Sequence, residues 1–305
     1  MKRCLQLAGY GNGFVAPNPM VGAVIVHNDR IIGEGFHRKY GEAHAEVNAI
    51  NSVADQSLLP DSTLYVNLEP CSHYGKTPPC AELIIEKQIP RVVVGLQDPY
   101  PEVSGRGIQM LREAGVEVVT DVLSDECSLL NKCFLTFINK KRPYIILKWA
   151  ESNDGYMDSI RTPGDGKQAV RFSDFFTQTA VHKMRAEESA IMVGANTALL
   201  DEPMLNVRFW SGSDPLRITA DKDLSQIMDE LYRQRIQSLI VEGGAKLLES
   251  FISEGLWDEA RIETAEFSLG SGIKSPVLSG KLLDVQKCEK SIISIYKNVL
   301  YPKNL

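Results

Sequence analysis

The sequence predicts an α/β protein of two successive domains, and three observations carry that prediction. Its 305 residues exceed the ~100–200 of a typical single domain. In both halves, short β-branched runs alternate with windows of helical periodicity, the pattern of strands and crossover helices that builds a largely parallel sheet. The alternation stops at the polar stretch Asn139-Lys140-Lys141-Arg142-Pro143 and then restarts, dividing the chain into 1–142 and 143–305.

In the first half, Cys4, Leu5, Leu7 and Ala8 predict a short helix that ends at the glycines of Gly9-Tyr10-Gly11-Asn12-Gly13. The apolar runs 21–26 and 31–35 flank polar His27-Asn28-Asp29-Arg30 and predict a hairpin. Ala45, Ala49 and Val53 share one face of a helical window over 43–53. Strands follow at 62–68, 91–95 and 116–119, with helices at 81–87 and 107–114, the second closed by Gly115. In the second half, strands fall at 144–148, 189–194, 216–219 and 238–241. Helices fall at 175–186, 225–235 and 245–252.

Composition narrows the function. The net charge is −6, split −2 before residue 143 and −4 after it. Neither half has the basic excess that binding a phosphate backbone requires, so no nucleic-acid partner is expected. No apolar run approaches the ~18–20 residues that span a bilayer. Met1-Lys2-Arg3-Cys4-Leu5 has no signal-peptide core, so a cytoplasmic location without a membrane partner is expected. Six cysteines in such a chain read as thiols or metal ligands, not as a disulfide framework.

The sharpest motif is His44-Ala45-Glu46, then Pro70-Cys71 at a strand end, then Cys80 at a helix start. One imidazole and two thiolates suit Zn²⁺, which prefers tetrahedral N/S ligation and keeps a fourth position for water in catalytic sites. Glu46 can face that site without ligating and act as the proton carrier. This order is the signature of zinc-dependent cytidine and nucleobase deaminases. The bland alternative makes His44 a helix-start residue and the cysteines small buried hydrophobes. Eight residues separate the cysteines where many deaminases have two, and this polar insert carries His73 and Lys76, which could reach a phosphorylated substrate.

Asn18-Pro19-Met20-Val21-Gly22, His44-Ala45-Glu46, the run from Leu68-Glu69-Pro70-Cys71 through Lys76-Thr77-Pro78-Pro79-Cys80, and Asp98-Pro99 followed by Gly105-Arg106-Gly107-Ile108 resemble the bifunctional deaminase–reductases of riboflavin biosynthesis. The resemblance runs from about residue 2 to the C-terminus. It implies a cytidine-deaminase-like α/β/α sandwich that hydrolytically deaminates 2,5-diamino-6-ribosylamino-4(3H)-pyrimidinone 5′-phosphate. It also implies zinc on His44, Cys71 and Cys80, Glu46 as the proton shuttle, and substrate contacts from Asn18, His73 and Lys76. Tyr100 stands where the family often has Asn.

Alone, the second half offers less. Glu242-Gly243-Gly244 joins a strand to a helix, and glycines there let backbone N–H groups approach a phosphate, although such a pair also serves as a plain tight turn. In the family's order stand Pro143 to Lys148, Ser152-Asn153-Asp154-Gly155, Val181-His182-Lys183-Met184-Arg185-Ala186, Val193 to Thr197 and Asp201 to Arg208. These resemble its reductase domain, implying a dihydrofolate-reductase-like α/β fold, NADPH, and reduction of the ribosyl group to a ribityl chain. NADPH-contacting positions implied are Glu151, Arg171, Thr197, Asp201 and Gly244. Substrate-contacting positions implied are Arg185, Leu205, Arg208 and Glu242, with both arginines suited as forks for the 5′-phosphate. Lys148 reads equally as a nicotinamide-site residue or a snorkelling strand lysine.

Two departures stand out. Ala169 to Ser173 occupies the place of a family tryptophan motif, and Asp221-Lys222-Asp223 leads almost directly into the helix at Ser225, where the family has several dozen more residues. A real deletion would leave a sheet edge unpaired. Four readings therefore stand together: a bifunctional enzyme, expected to act as a homo-oligomer, most simply a dimer; a deaminase with a disabled, structural C-terminal domain; a nucleic-acid deaminase; and a zinc-stabilised binding protein. The absent basic groove and the long cysteine spacing disfavour the third, and Glu46 disfavours the fourth.

Overall fold

The first helix, α1 (Lys2–Gly9), buries Cys4, Leu7 and Ala8 on one face, as their 3–4 spacing dictates. It precedes a hairpin of β1 (Gly22–His27) and β2 (Arg30–Phe36). Asn28 and Asp29 close that hairpin at φ 47° and 58°, the doubly left-handed geometry that matches strand twist. The order continues α2 (Ala45–Asn51), β3 (Thr63–Val66), α3 (Cys80–Glu86), β4 (Arg91–Val94), α4 (Arg106–Glu113), β5 (Glu117–Val119), α5 (Ser124–Leu130) and α6 (Lys132–Lys140). This computed structural model describes residues 1–74, 78–100, 104–162 and 164–299.

The first sheet runs β2-β1-β3-β4-β5. It is mixed, not largely parallel: β1 is antiparallel to β2 and β3, while β3, β4 and β5 are parallel. A two-residue turn can join only antiparallel neighbours, so the hairpin fixes that edge. Ile25, Leu64, Val66, Val92 and Val94 meet Ala49, Ile50, Ala81, Ile84 and Leu111 in the core. A Cβ at Gly35 would collide with the backbone N of Ala49, so only glycine lets α2 approach β2 this closely. That approach brings the start of α2, with His44 as its N-cap, against the sheet.

The second unit, Lys141–Leu305, contains β6 (Tyr144–Glu151), β7 (Tyr156–Asp158), α7 (Phe175–Glu187), β8 (Ala190–Gly194), α8 (Ala195–Asp201), β9 (Leu216–Ala220), α9 (Leu224–Arg233) and β10 (Ser238–Val241). It continues with α10 (Ala245–Ser253), β11 (Glu259–Ala265), β12 (Ile273–Lys274), β13 (Lys281–Lys287) and β14 (Ser291–Lys297). Its main sheet runs β13-β14-β11-β6-β10-β8-β9. From β11 to β9 the strands are parallel, and β13 and β14 add an antiparallel margin. Strands β6, β8 and β10 are almost wholly buried, which explains their continuous apolar runs.

Sequence alone assigns no element at 124–140 and none beyond 252. Strand β11 explains part of this: it carries Glu259, Arg261 and Glu263, charges that read as surface, yet it lies inside the sheet. Arg261 Nε donates to Glu259 at 2.6 Å, and Glu263 accepts from Ser173 and Ser291 at 2.5 and 3.1 Å. Strand β9 passes through Asp221-Lys222-Asp223 straight into α9, and it is the edge of the sheet. Among the described residues, no helix is long and apolar enough to cross a membrane.

Candidate functional site

His44, Cys71 and Cys80 reach one point from three directions: the N-cap of α2, the loop after β3, and the first turn of α3. Their donor atoms all lie within 4.8 Å of one another. His44 Nδ1 is 3.6 Å from Cys71 Sγ and 3.4 Å from Cys80 Sγ. A tetrahedral ion with bonds of ~2.05 Å to nitrogen and ~2.3 Å to sulfur holds those atoms ~3.6 Å apart, so the donor set fits zinc in both chemistry and spacing. The Cys80 backbone N–H donates to Cys71 Sγ at 3.3 Å, and Ala81 N–H donates to Cys71 O at 3.2 Å, which locks the insert's two ends together.

The electrostatics agree with a thiolate-bearing centre. A hydrogen bond from Cys80, reinforced by His44, holds the Cys71 thiol well below its ordinary value against its burial, while the same bond and burial hold Cys80 above its own. The bond to Cys71, with Glu46 adding to it, lifts His44 to about 9. Glu46 is 3% exposed in the first turn of α2, and burial followed by the charge of Cys71 pushes its carboxyl up to about 7.

Around this centre the structure gives structural roles to His37, Glu69 and Asp98, to which the sequence reading assigned none. His37 is buried; its Nδ1–H donates to Ala43 O at 3.1 Å, and its Nε2 accepts from Asn18 Nδ2 at 3.1 Å. Its ring meets the His44 ring edge-on at 5.5 Å, so Asn18 is tied to the centre through it. Glu69, 4% exposed, accepts four backbone N–H bonds: from Asp98 and Gly105 on Oε2, and from Gly107 and Ile108 on Oε1. A charged residue placed directly before Pro70-Cys71 was the available signal. Burial lifts the Asp98 carboxyl to about 6, and exposed His73 is near enough to pull it back. Lys76 lies outside the described residues.

In the second unit, Glu151, Thr197 and Gly244 lie at or just after the C-terminal ends of parallel strands β6, β8 and β10, where open α/β sheets bind ligands. Gly194 caps α8 and Gly244 caps α10, and neither helix start is satisfied by a side-chain cap. A Cβ on Gly244 would lie 3.4 Å from Thr197 Oγ1, so these two implied cofactor positions adjoin. Uncapped N–H groups at such turns fit the phosphates of NADPH. Asp201 pairs with Arg161 at 2.8 Å, and Arg161 also holds Asp158. The Glu151 carboxylate accepts from Trp149 Nε1 at 2.8 Å and from Thr264 Oγ1 at 3.4 Å, while Arg171 is exposed between β7 and α7.

The implied substrate positions form a second group. The Arg185 fork is spent on Glu242, at 3.1 and 2.7 Å, and its remaining nitrogen donates to Asn206 O at 3.3 Å. The Arg185 nitrogens thus all have protein partners, whereas Arg208 is exposed, with Nη1 donating to Asn206 Oδ1 at 3.0 Å. Burial works to raise the Glu242 carboxyl, but Lys148 and Arg185 outweigh it and hold the group below its ordinary value. Lys148 is thus electrostatically joined to the group. Leu205 is buried at a left-handed φ of 48°.

Comparison with known proteins agrees in both halves. Residues 1–96 match the cytidine and deoxycytidylate deaminase zinc-binding region, and residues 143–227 and 216–299 match the RibD C-terminal domain. The chain is 35% identical to the riboflavin biosynthesis protein RibD of Aquifex aeolicus, over 90% of this chain and 88% of that one. It is 36% identical to RibD of Bacillus amyloliquefaciens, over 92% and 87%. The crystal structure of a Thermotoga maritima diaminohydroxyphosphoribosylaminopyrimidine deaminase/5-amino-6-(5-phosphoribosylamino)uracil reductase superposes with a TM-score of 0.88 at 33% identity, covering 98% and 97% of the two chains. Acinetobacter baumannii RibD superposes at 0.87 and 31%, covering 97% of each chain. The chain belongs to the RibD family of riboflavin biosynthesis, bifunctional enzymes with a zinc-binding deaminase region followed by a reductase domain.

Proposed function

We propose that residues 1–142 deaminate 2,5-diamino-6-ribosylamino-4(3H)-pyrimidinone 5′-phosphate, and that residues 143–305 then reduce the ribosyl group of the product with NADPH. The observation that carries the first step is a buried carboxyl, Glu46, next to a His–Cys–Cys set spaced for zinc. His44 Nδ1, Cys71 Sγ and Cys80 Sγ would hold the ion. Bound there, zinc supplies the Lewis acidity that makes a water nucleophilic near neutral pH. Glu46 takes a proton from that water and returns one to the departing ammonia, so the amine-bearing ring carbon becomes a carbonyl. Asn18, steadied by His37, and His73 and Lys76 of the insert are assigned to the substrate.

For the second step NADPH supplies the hydride, with Thr197, Asp201, Gly244, Glu151 and Arg171 assigned to its site. Arg208 is assigned to the substrate phosphate, and Arg185, Glu242 and Leu205 to the surrounding wall. A cytoplasmic location suits six free cysteines, two of them in the zinc set. Pairing of two copies is supported by the apolar surface of β13 and β14, where Leu282, Leu283, Val285 and Ile292 are 40–52% exposed.

A second reading, a deaminase with a structural C-terminal domain, draws on the bare edge at β9. A mass-spectrometric time course separates them, using the diaminopyrimidine ribosyl phosphate and zinc-loaded protein. Deamination without NADPH, and two added hydrogens only with it, supports both steps. Arrest at the deaminated product despite NADPH leaves a deaminase alone.

A further inference from the structure

We propose that His182 is a positioning residue of the reductase step: together with Arg185 it clamps the Asn206–Arg208 backbone and so presents the Arg208 guanidinium to the substrate phosphate. This rests on the assignment of Arg208 to that phosphate.

His182 and Arg185 are three residues apart on α7 and therefore share a face. His182 is 2% exposed. Its Nδ1 lies 3.1 Å from the backbone N of Arg208. A backbone N–H can only donate, so Nδ1 accepts and the ring proton sits on Nε2. Burial, aided by Arg185 and Arg208, keeps the ring in that neutral form. Two residues earlier on the same segment, Asn206 O accepts from Arg185 Nη1 at 3.3 Å. The helix thus grips the loop with one acceptor and one donor, and this pair fixes both register and direction.

The loop needs such a grip. Leu205 turns it through a left-handed φ of 48°, a conformation that a branched side chain does not hold unaided. The histidine also acts through its ring, which meets Phe209 at 4.8 Å and 70°. The Arg208 guanidinium carbon sits 4.9 Å over the other partner of that contact, the Phe209 ring, and Arg208 Nη1 donates to Asn206 Oδ1 at 3.0 Å. His182 therefore reaches Arg208 twice, by its backbone and through the ring beneath its charge. Hydride transfer itself does not require the histidine.

The test uses the full chain, assayed for reduction of the deaminated ribosyl phosphate and of its dephosphorylated counterpart. His182→Leu is expected to raise KM for the phosphorylated substrate about ten- to hundredfold, the scale of an ångström-level misplacement. The kcat and the KM for NADPH should stay within about threefold on the same scale, and the dephosphorylated substrate should be unaffected. His182→Asn, whose Oδ1 falls near the place of Nδ1 and keeps an acceptor, should restore most of the loss, and His182→Leu should add nothing in an Arg208→Ala background. Equal losses for both substrates, or a loss in kcat alone, would overturn the proposal. Should His182→Leu not fold, Phe209→Leu must give the same phosphate-selective rise in KM, and its failure to do so counts against the proposal. An Arg208→Ala variant with unchanged KM removes the underlying phosphate assignment. A defective Arg208→Ala beside an unaffected His182→Leu removes only the role of His182.

Discussion

Glu69→Gln probes how the first site is built. The native carboxylate accepts from Gly107 and Ile108 at 2.9 and 3.2 Å on one oxygen, and from Gly105 and Asp98 at 3.0 and 3.2 Å on the other. The amide keeps one acceptor oxygen and turns an NH₂ donor toward the other two N–H groups. Two hydrogen bonds to a charged group are lost, each worth ~1.5–3 kcal/mol. Because the pair shares one loop, the lower end, ~3 kcal/mol, is the working figure. For a unit of about 140 residues that corresponds to a fall of ~10 °C in its melting transition. The backbone at Asp98 and at the start of α4 should loosen while His44, Cys71 and Cys80 keep their zinc, because none of them bonds to Glu69. Calorimetry of the zinc-loaded chain, with metal content measured in parallel, reads both quantities. A variant that melts within about 1 °C of the parent on that scale would refute the idea that Glu69 organises the loop.

Further outcomes follow from the same geometry. Glu46→Gln should cut deamination by ~10²–10⁴, the usual contribution of a positioned acid–base group, while stoichiometric zinc persists by metal analysis; normal turnover would remove its role as proton carrier. Arg142→Met should destabilise the second unit by ~3–5 kcal/mol in denaturant unfolding, because it strips the counter-charge from buried Asp258, now held at 2.5 and 3.0 Å. The Glu242 carboxyl sits below its ordinary value, so its stabilisation is complete above that value and is lost as pH falls through the lower folded one. The second transition should therefore drop below about pH 4 in the parent, and the Glu242→Gln variant should not share that drop.

Much of the fold was legible because periodicity is local. The helix predicted at 245–252 and the strand at 238–241 differ from Ala245–Ser253 and Ser238–Val241 by at most a residue, since each buries its own apolar pattern. Helices α5 and α6 and the charged strand β11 were not legible: α5 buries only Cys127, β11 carries charges inside the sheet, and the apolar face of α6 went unread. The N-terminal sheet departed from the parallel expectation because a hairpin dictates antiparallel neighbours whatever the later βα units prefer.

What the sequence determined by itself was chemistry: one imidazole, two thiols and a carboxyl in the order that zinc deamination uses, and glycines at the strand-to-helix turns of the second domain. Residue types and their spacing specify which reactions are available. Tertiary structure alone decided how those groups are held. Arg185 meets Glu242 across 57 positions and spends its fork there, while Arg208 stays exposed. Glu69 gathers N–H groups from up to 39 residues away. Such pairings depend on which strands lie side by side and on how closely helices approach them. A residue's partner in space is set by that packing, and no local pattern in the chain records it.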